Sequence, residues 1–153
     1  MLTEGDRMPV FELPDQNGNL VRSADLAGKR LVVYFYPRDD TPACTNEACS
    51  FRDSLPELRA KGLTVIGMSA DTSASHARFA AKFDLPFTLL ADEDKAVIKA
   101  FGAWGEKSMY GRRYMGILRC TFVIGEDGIV EKVFPKATPK KHAKEILKAL
   151  GAT

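Results

Sequence analysis

The sequence has few of the features that mark secreted, membrane-bound or nucleic-acid-binding proteins. Its 153 residues include only three cysteines, and the net charge is +2. There is no basic stripe with interleaved aromatic residues, which argues against a nucleic-acid or membrane partner. The N-terminus is acidic rather than apolar, and no later stretch reaches the length of a membrane span. We therefore expect a cytoplasmic protein with free or catalytic thiols, although an organellar protein without its transit peptide would look the same.

Ligands for a metal or a cofactor are also scarce. Two cysteines with Cys-x4-Cys spacing and one remote cysteine do not make a zinc-ligand pattern, and there is neither a glycine-rich phosphate loop nor a haem attachment motif. His76 and His142 are predicted to lie on exposed helix faces, where a surface role is favoured over metal binding. No cofactor or metal is expected.

Strands and helices are predicted to alternate along a chain that no repeat or linker divides, so we expect residues 1–153 to form one domain. The predicted elements are a hairpin over 10–22, a strand over 31–36, a helix from 42 that Pro56 kinks or splits and Gly62 ends, a strand over 63–68, a helix from 72 or 73 to 83, a strand over 87–90, a helix over 94–101, a glycine-rich loop over 102–116, strands over 118–124 and 129–134, and a helix from 138. This order fits an α/β, thioredoxin-like fold with a central mixed β-sheet flanked by helices and an N-terminal β-hairpin extension.

The segment after the first buried strand is the most informative. Thr41 offers an N-cap oxygen and Pro42 suits the first helical position, so Cys44 becomes the third residue of a helix. Unpaired N–H groups and the helix dipole favour an anion there, which for a cysteine is the nucleophilic thiolate. A single cysteine is more often a small buried apolar residue, so this argument needs support from its surroundings.

The surroundings of Cys44 resemble the active-site loop of the peroxiredoxins. The residues that carry the resemblance are Pro37, Thr41, Cys44, Glu47 and Cys49. The Cys-x4-Cys spacing is similar to that of the peroxiredoxin Q subgroup, also called bacterioferritin comigratory protein. A second block similar to that subgroup, over residues 104–122, reads WGEKSMYGRRYMGILRCTF. The resemblance covers nearly the whole chain.

The resemblance implies an antioxidant thiol peroxidase that reduces hydrogen peroxide and organic hydroperoxides without a cofactor. Cys44 would be the peroxidatic cysteine, which becomes a sulfenic acid. Cys49 would be the resolving cysteine, which closes an intramolecular disulfide. Thioredoxin or a glutaredoxin would reopen that disulfide, and the protein would be a monomer or a weak dimer.

The same resemblance assigns the residues around the thiol. Thr41 and Arg119 are expected to activate Cys44, with Pro37 as a supporting residue of the loop. Donors aimed at the departing oxygen stabilise the transition state, and a guanidinium keeps its charge at neutral pH. Glu47, one helical turn after Cys44, is expected to orient Arg119; the alternative is a solvated acid in the first turn of the helix.

The spacing of Cys44 and Cys49 predicts a conformational change. Five residues apart on an intact helix, two Cα atoms are about 8.6 Å from each other. A disulfide does not form much beyond roughly 7 Å. The first helical turns must therefore unwind before the two sulfurs can meet.

Some residues depart from the pattern of the subgroup. Ala43 stands where glycine is usual, and its Cβ is expected to stiffen the loop or to slow unwinding. Cys120 stands where serine or threonine is common, either as an alternative resolving thiol or, as we favour, as an inert buried residue. Trp104, Tyr110 and Tyr114 wall a peroxide pocket, make a contact surface or pack over the sheet edge.

Two other functions use the same thiols. A thioredoxin-like disulfide reductase normally has Cys-x-x-Cys, and here Thr41 occupies the earlier position, which disfavours it. A redox sensor or holdase would signal through the same disulfide. The rate of reaction with peroxide separates that function from catalysis.

Overall fold

Strands and helices alternate along the chain in the computed structural model, which describes residues 1–151. In chain order the elements are β1 (Glu12–Pro14), β2 (Leu20–Arg22), a 3₁₀ helix (Ser23–Leu26), β3 (Arg30–Phe35), α1 (Pro42–Ala60), β4 (Leu63–Ser69), α2 (Ser73–Phe83), β5 (Thr88–Ala91), α3 (Ala96–Ala100), β6 (Trp104–Met109), β7 (Arg112–Ile117), β8 (Cys120–Ile124), β9 (Val130–Phe134) and α4 (His142–Ala149).

The central sheet has five strands in the order β5-β4-β3-β8-β9. β3 lies in the middle, and its residues from Leu31 to Phe35 are all buried, as expected for a strand covered on both faces. It runs parallel to β4 and antiparallel to β8, and β9 returns antiparallel to β8. The sheet is therefore mixed, and the predicted thioredoxin-like α/β fold is confirmed.

Side chains that alternate along β3 enter two core layers. Tyr34 lies in the layer that α1, α2 and α4 cover. Phe35 lies in the opposite layer, with residues of α3 and of the N-terminal segment. The N-terminal hairpin is also confirmed, since β1 and β2 pair antiparallel with Leu13 opposite Val21. The sheet thus separates the side chains of one layer from those of the other, and Cys44 and Cys120 lie in different layers.

α1 begins at the C-terminal end of β3 because it connects two parallel neighbours, β3 and β4. It is one continuous helix, so the predicted split at Pro56 is wrong. Pro56 removes a single backbone hydrogen bond and lies on the exposed face, where water can satisfy the freed carbonyl. Leu55 and Leu58 are buried beside it and pack the helix onto the core.

The prediction of a glycine-rich loop over residues 102–116 is wrong, because most of this segment forms the β6–β7 hairpin. Tyr110 and Gly111 make its turn with φ values of +53° and +77°. Both strands are largely exposed, so they lack the apolar alternation that identifies a strand in a sequence. Their hydrogen bonds come from each other rather than from the central sheet.

The two histidines are buried, so their predicted place on exposed helix faces is wrong. His76 lies on the inner face of α2 with Phe79, and His142 opens the inner face of α4. Each is satisfied by polar partners that lie far away in the sequence, such as Thr121 Oγ1 at 2.6 Å from His142 Nε2.

Two helix boundaries also differ from the prediction. α4 begins at His142 rather than at Thr138, because residues 139–141 form a turn, and α3 is shorter than the predicted 94–101. Among the described residues, no helix combines the length and the apolar character that crossing a membrane requires.

Candidate active site

The start of α1 places Cys44 as the third helical residue, and its side chain is buried. Thr41 precedes the helix with extended backbone and Pro42 takes its first position. The Thr41 side chain does not cap the helix as expected, because its hydroxyl donates to the carbonyl oxygen of Arg38 at 3.0 Å. The Thr41 side chain therefore does not accept from the first-turn N–H groups, which favour an anion at the start of the helix.

Arg119 reaches the same place from the neighbouring strand. It immediately precedes β8, which runs antiparallel to β3 with Cys120 opposite Phe35. The start of β8 therefore lies beside the end of β3, where α1 begins. The Nη2 atom of Arg119 donates to Cys44 Sγ at 3.3 Å. Sheet pairing, not proximity in sequence, brings the cation to the thiol.

Glu47 holds the other side of the same guanidinium. Its Oε1 accepts from Nη1 of Arg119 at 2.8 Å, and its side chain is 0% exposed, so the alternative of a solvated acid is wrong. Burial raises the pKa of Glu47 to about 7, against the opposing effect of the Arg119 charge. Its second oxygen, Oε2, has no hydrogen-bond partner among the described residues.

The charges around Arg119 keep it ionised. Burial lowers its pKa, but the charges and hydrogen bonds of Glu47 and Cys44 outweigh this and raise the pKa above its ordinary value. Lys107 lies nearby, and its pKa is lowered by burial and by repulsion from Arg119. The cation in contact with the sulfur is therefore Arg119, whose guanidinium keeps its charge at neutral pH. Hydrogen bonds at two of its nitrogen atoms fix its orientation.

An open cavity of about 550 Å³ lies against Arg119. Its lining residues are Lys107, Leu118, Arg119, Pro135, Lys136 and Ala137. Trp104, Tyr110 and Tyr114 are not among them. Tyr110 is 99% exposed on the β6–β7 turn, and Trp104 packs beneath two lysines of the α3 region. The structure thus does not place these aromatic residues in a wall of this cavity.

Cys49 and Cys120 differ in their position relative to Cys44. Cys49 is half-buried in the same unbroken helix, and all three cysteines are free thiols. Cys120 is fully buried, and its side chain enters the core layer on the other face of the sheet, with Phe35. Burial, followed by the Glu47 charge, raises the pKa of Cys120 to about 12. These features favour an inert Cys120.

A polar cluster behind the loop was missed by the sequence analysis. Asp39 follows Pro37 by two residues, and its Oδ2 lies 2.7 Å from Nδ1 of the buried His76. Tyr36 donates its hydroxyl to the other oxygen of Asp39 at 2.6 Å. The only local signal was a histidine at helical spacing from Phe79 on the apolar face of α2.

Comparisons with known proteins agree with this geometry. The model of the AhpC/TSA family matches residues 4–133. Peroxiredoxin Bcp of Escherichia coli K12 is 47% identical over 146 residues, which cover 95% of this chain and 94% of that protein. A putative peroxiredoxin Bcp of Coxiella burnetii is 43% identical over 143 residues, with 94% and 95% covered.

Solved structures of peroxiredoxins are also similar to this chain. A cysteine-to-serine mutant of peroxiredoxin Q from Xanthomonas campestris superposes with a TM-score of 0.88 at 35% identity, covering 98% of both chains. A structure of the bacterioferritin comigratory protein of the same organism, described in connection with its alkyl peroxide reduction activity, has a TM-score of 0.86 at 38% identity and covers 93% of this chain and 90% of that one. The chain therefore belongs to the AhpC/TSA family, among the peroxiredoxins of the Bcp or peroxiredoxin Q type.

Proposed function

We propose that residues 1–153 form one peroxiredoxin domain that acts as a thiol peroxidase on hydrogen peroxide and organic hydroperoxides. The observation that carries the proposal is the 3.3 Å contact between Arg119 Nη2 and Cys44 Sγ at the start of α1. Family membership and the alkyl peroxide activity described for the Xanthomonas relative support it. In a cell the enzyme would remove peroxides as an antioxidant.

The attack converts the Cys44 thiolate to a sulfenic acid. The sulfur bonds to the terminal oxygen of R–O–OH, the O–O bond breaks, and the departing RO⁻ takes a proton from solvent to leave as ROH. Negative charge moves from sulfur to the departing oxygen, so a fixed cation that contacts the sulfur is placed to follow it. Arg119 is such a cation because Glu47 holds its Nη1.

Thr41 is proposed to position the peroxide. Its hydroxyl hydrogen is already in a hydrogen bond, because Oγ1 donates to the carbonyl oxygen of Arg38 at 3.0 Å. The oxygen lone pairs are then left to accept the hydrogen of the hydroperoxide. The terminal oxygen would be directed at Cys44 while the Arg119 side of the site receives the departing oxygen.

Cys49 is proposed to resolve the sulfenic acid. Its thiolate attacks the sulfur of Cys44, hydroxide departs and is protonated to water, and the disulfide forms. The helix from Pro42 to Ala60 is continuous in the reduced protein, so its first turns have to unwind for this step.

An external dithiol is then needed to reopen the disulfide by exchange. Thioredoxin or a glutaredoxin is proposed as that reductant, and the cycle needs only one chain, consistent with a monomer or weak dimer. Three free thiols and dependence on a dithiol favour a reducing compartment such as the cytoplasm.

Peroxide consumption by cysteine variants tests the proposal. Wild type and Cys120→Ala, the matched control, should turn over hydrogen peroxide with thioredoxin and thioredoxin reductase. Cys44→Ser should be inactive, and Cys49→Ser should reduce one equivalent of peroxide and then stop. Turnover by Cys44→Ser would contradict the assignment. A wild type that reacts with peroxide no faster than free cysteine would instead favour a redox sensor or holdase.

A further inference from the structure

The loop between β3 and α1 is anchored on the side away from Arg119 by a buried hydrogen bond between Asp39 and His76. The Asp39 side chain is 4% exposed and that of His76 is 0% exposed, and Oδ2 and Nδ1 lie 2.7 Å apart. Tyr36 and Ser75 donate their hydroxyls to the same carboxylate at 2.6 and 2.8 Å. Two side chains of α2 and one that directly follows β3 thus converge on one residue of the loop.

His76 is hydrogen-bonded at both ring nitrogens. Its Nε2 is 2.9 Å from the carbonyl oxygen of Leu90, which can only accept, so Nε2 carries a hydrogen. Its Nδ1 lies 2.7 Å from Oδ2 of Asp39. The pair is thus buried and hydrogen-bonded at every polar atom, which is the condition for buried polar groups to be stable.

The cluster is complete without a metal ion. Asp39, Asp71 and His76 offer donor atoms within 4.8 Å of one another. Asp71 Oδ2, however, already accepts from the backbone N–H of Asp39 at 2.9 Å and from the hydroxyl of Ser69 at 2.6 Å. The donor atoms are saturated by protein hydrogens, and Asp71 adds a second link between the loop and the end of β4.

None of these contacts involves α1. The partners of Asp39 come from the end of β3, the end of β4 and α2, and His76 is tied in turn to β5. The chain leaves the cluster at Asp40, which has a φ of +57°, and enters α1 at Pro42. Unwinding of the first turns of α1 can therefore proceed without breaking the cluster.

We propose that Asp39 and His76 are a positioning pair that fixes the upstream end of the segment that unwinds. This rests on the proposed function, because it concerns the passage of Cys44 between the folded and the unwound helix. Holding one end of the segment restricts the unwound chain and so favours the folded helix, in which Cys44 meets Arg119. Without the pair, the unwound state gains freedom, peroxide attack slows, and the Cys44–Cys49 disulfide becomes easier to form.

The test compares Asp39→Ala, which breaks the pair, with Asp39→Asn, which keeps the shape of the side chain and can still form a hydrogen bond with His76. Two quantities are measured in each: the second-order rate constant of the reduced protein with hydrogen peroxide, and the equilibrium constant of the disulfide against dithiothreitol. Asp39→Ala should raise the disulfide equilibrium constant by about tenfold, a coupling of the size of one buried hydrogen bond, and should lower the rate constant with peroxide. Asp39→Asn should restore both to within about threefold.

Two control variants separate this role from general destabilisation. Thr72→Ala removes the side-chain cap of α2, where Oγ1 accepts from Ser75 N at 3.0 Å, and should lower the urea midpoint without changing either constant. Lys82→Met removes the exposed 2.8 Å salt bridge from α2 to Asp40 in the same loop, and should change nothing measurable. If Asp39→Ala fails to fold, Ser75→Ala deletes one bond of the cluster and should shift both constants in the same directions.

An unchanged disulfide equilibrium in Asp39→Ala, or in Ser75→Ala should the first not fold, would overturn the positioning role. Changes of the same size in both constants in Thr72→Ala would also overturn it. The proposed function fails differently: the wild type would then not form the Cys44–Cys49 disulfide on addition of peroxide. The two failures are therefore distinguishable before any variant is compared.

Discussion

The guanidinium of Arg119 lies 3.3 Å from the sulfur of Cys44, although 75 residues separate them in the chain. The antiparallel pairing of β8 with β3 creates this contact, and Glu47 fixes its geometry from within α1. The account of catalysis depends on the contact being made in the folded helix and lost when the helix unwinds. Its parts can be tested one at a time.

Thr41 is expected to act through its oxygen lone pairs. Thr41→Val keeps the shape of the side chain and removes the acceptor, so the rate constant with hydrogen peroxide should fall about 10²-fold, as for other single polar groups of a transition-state site. Thr41→Ser keeps the acceptor and should stay within about threefold of wild type. Stopped-flow measurement on the reduced proteins gives both values, and equal rates for the two variants would rule out this role.

Glu47 makes stability depend on pH. Its pKa is about 7 in the folded protein and 4.5 in the unfolded chain, so the folded state is favoured most below pH 4.5 and loses stability as pH rises to 7. Glu47→Gln cannot ionise and should escape this loss, which is about 3 kcal/mol by linkage. The free energy of unfolding of the variant minus that of the wild type, measured in urea titrations, should therefore be larger at pH 8 than at pH 5. A difference that is the same at both pH values would contradict the shifted pKa.

Ala43 is expected to slow the unwinding of α1. Glycine lowers helix stability by roughly 0.5–1 kcal/mol, so Ala43→Gly should speed disulfide closure about two- to fivefold. Closure is followed after a single-turnover pulse of peroxide by trapping free thiols with time. Ala60→Gly, at the far end of the same helix, is the matched control and should leave the rate unchanged. Slower closure in Ala43→Gly would argue against unwinding as the limiting motion.

Amide exchange detects the unwinding itself. Residues 43–51 belong to a continuous helix in the reduced protein and should lose protection when the disulfide forms. The end of α1 near Ala60 should remain protected in both states and serves as the internal reference. Equal protection of residues 43–51 in the reduced and oxidised proteins would contradict the cycle.

Local patterns were enough for the elements that carry the thiol. The apolar run of β3 and the Thr41-Pro42 start of α1 depend on neighbours in sequence, so both were predictable. The exposed β6–β7 hairpin was not, because neither face of its strands is apolar enough to show a period of two.

Contacts between distant residues were harder to predict. The contact between Arg119 and Cys44 follows from the register of β8 against β3. In the sequence, only the family resemblance indicated this contact. The burial of His76 follows from partners in two other parts of the chain, the loop that holds Tyr36 and Asp39 and the strand that holds Leu90, and local sequence marks none of them. Buried polar residues are stabilised by their partners, which no local pattern reveals.

The most direct test of the account is the stopped-flow rate constant for reduced protein and hydrogen peroxide, measured for wild type, Arg119→Gln and the control Arg113→Gln in a Cys49→Ser background. Arg113 lies on the exposed hairpin and pairs with Glu106 at 3.3 Å. The account predicts a wild-type rate far above that of free cysteine, a loss of about 10²- to 10³-fold in Arg119→Gln, and no change in Arg113→Gln. Equal rates for wild type and Arg119→Gln would contradict it.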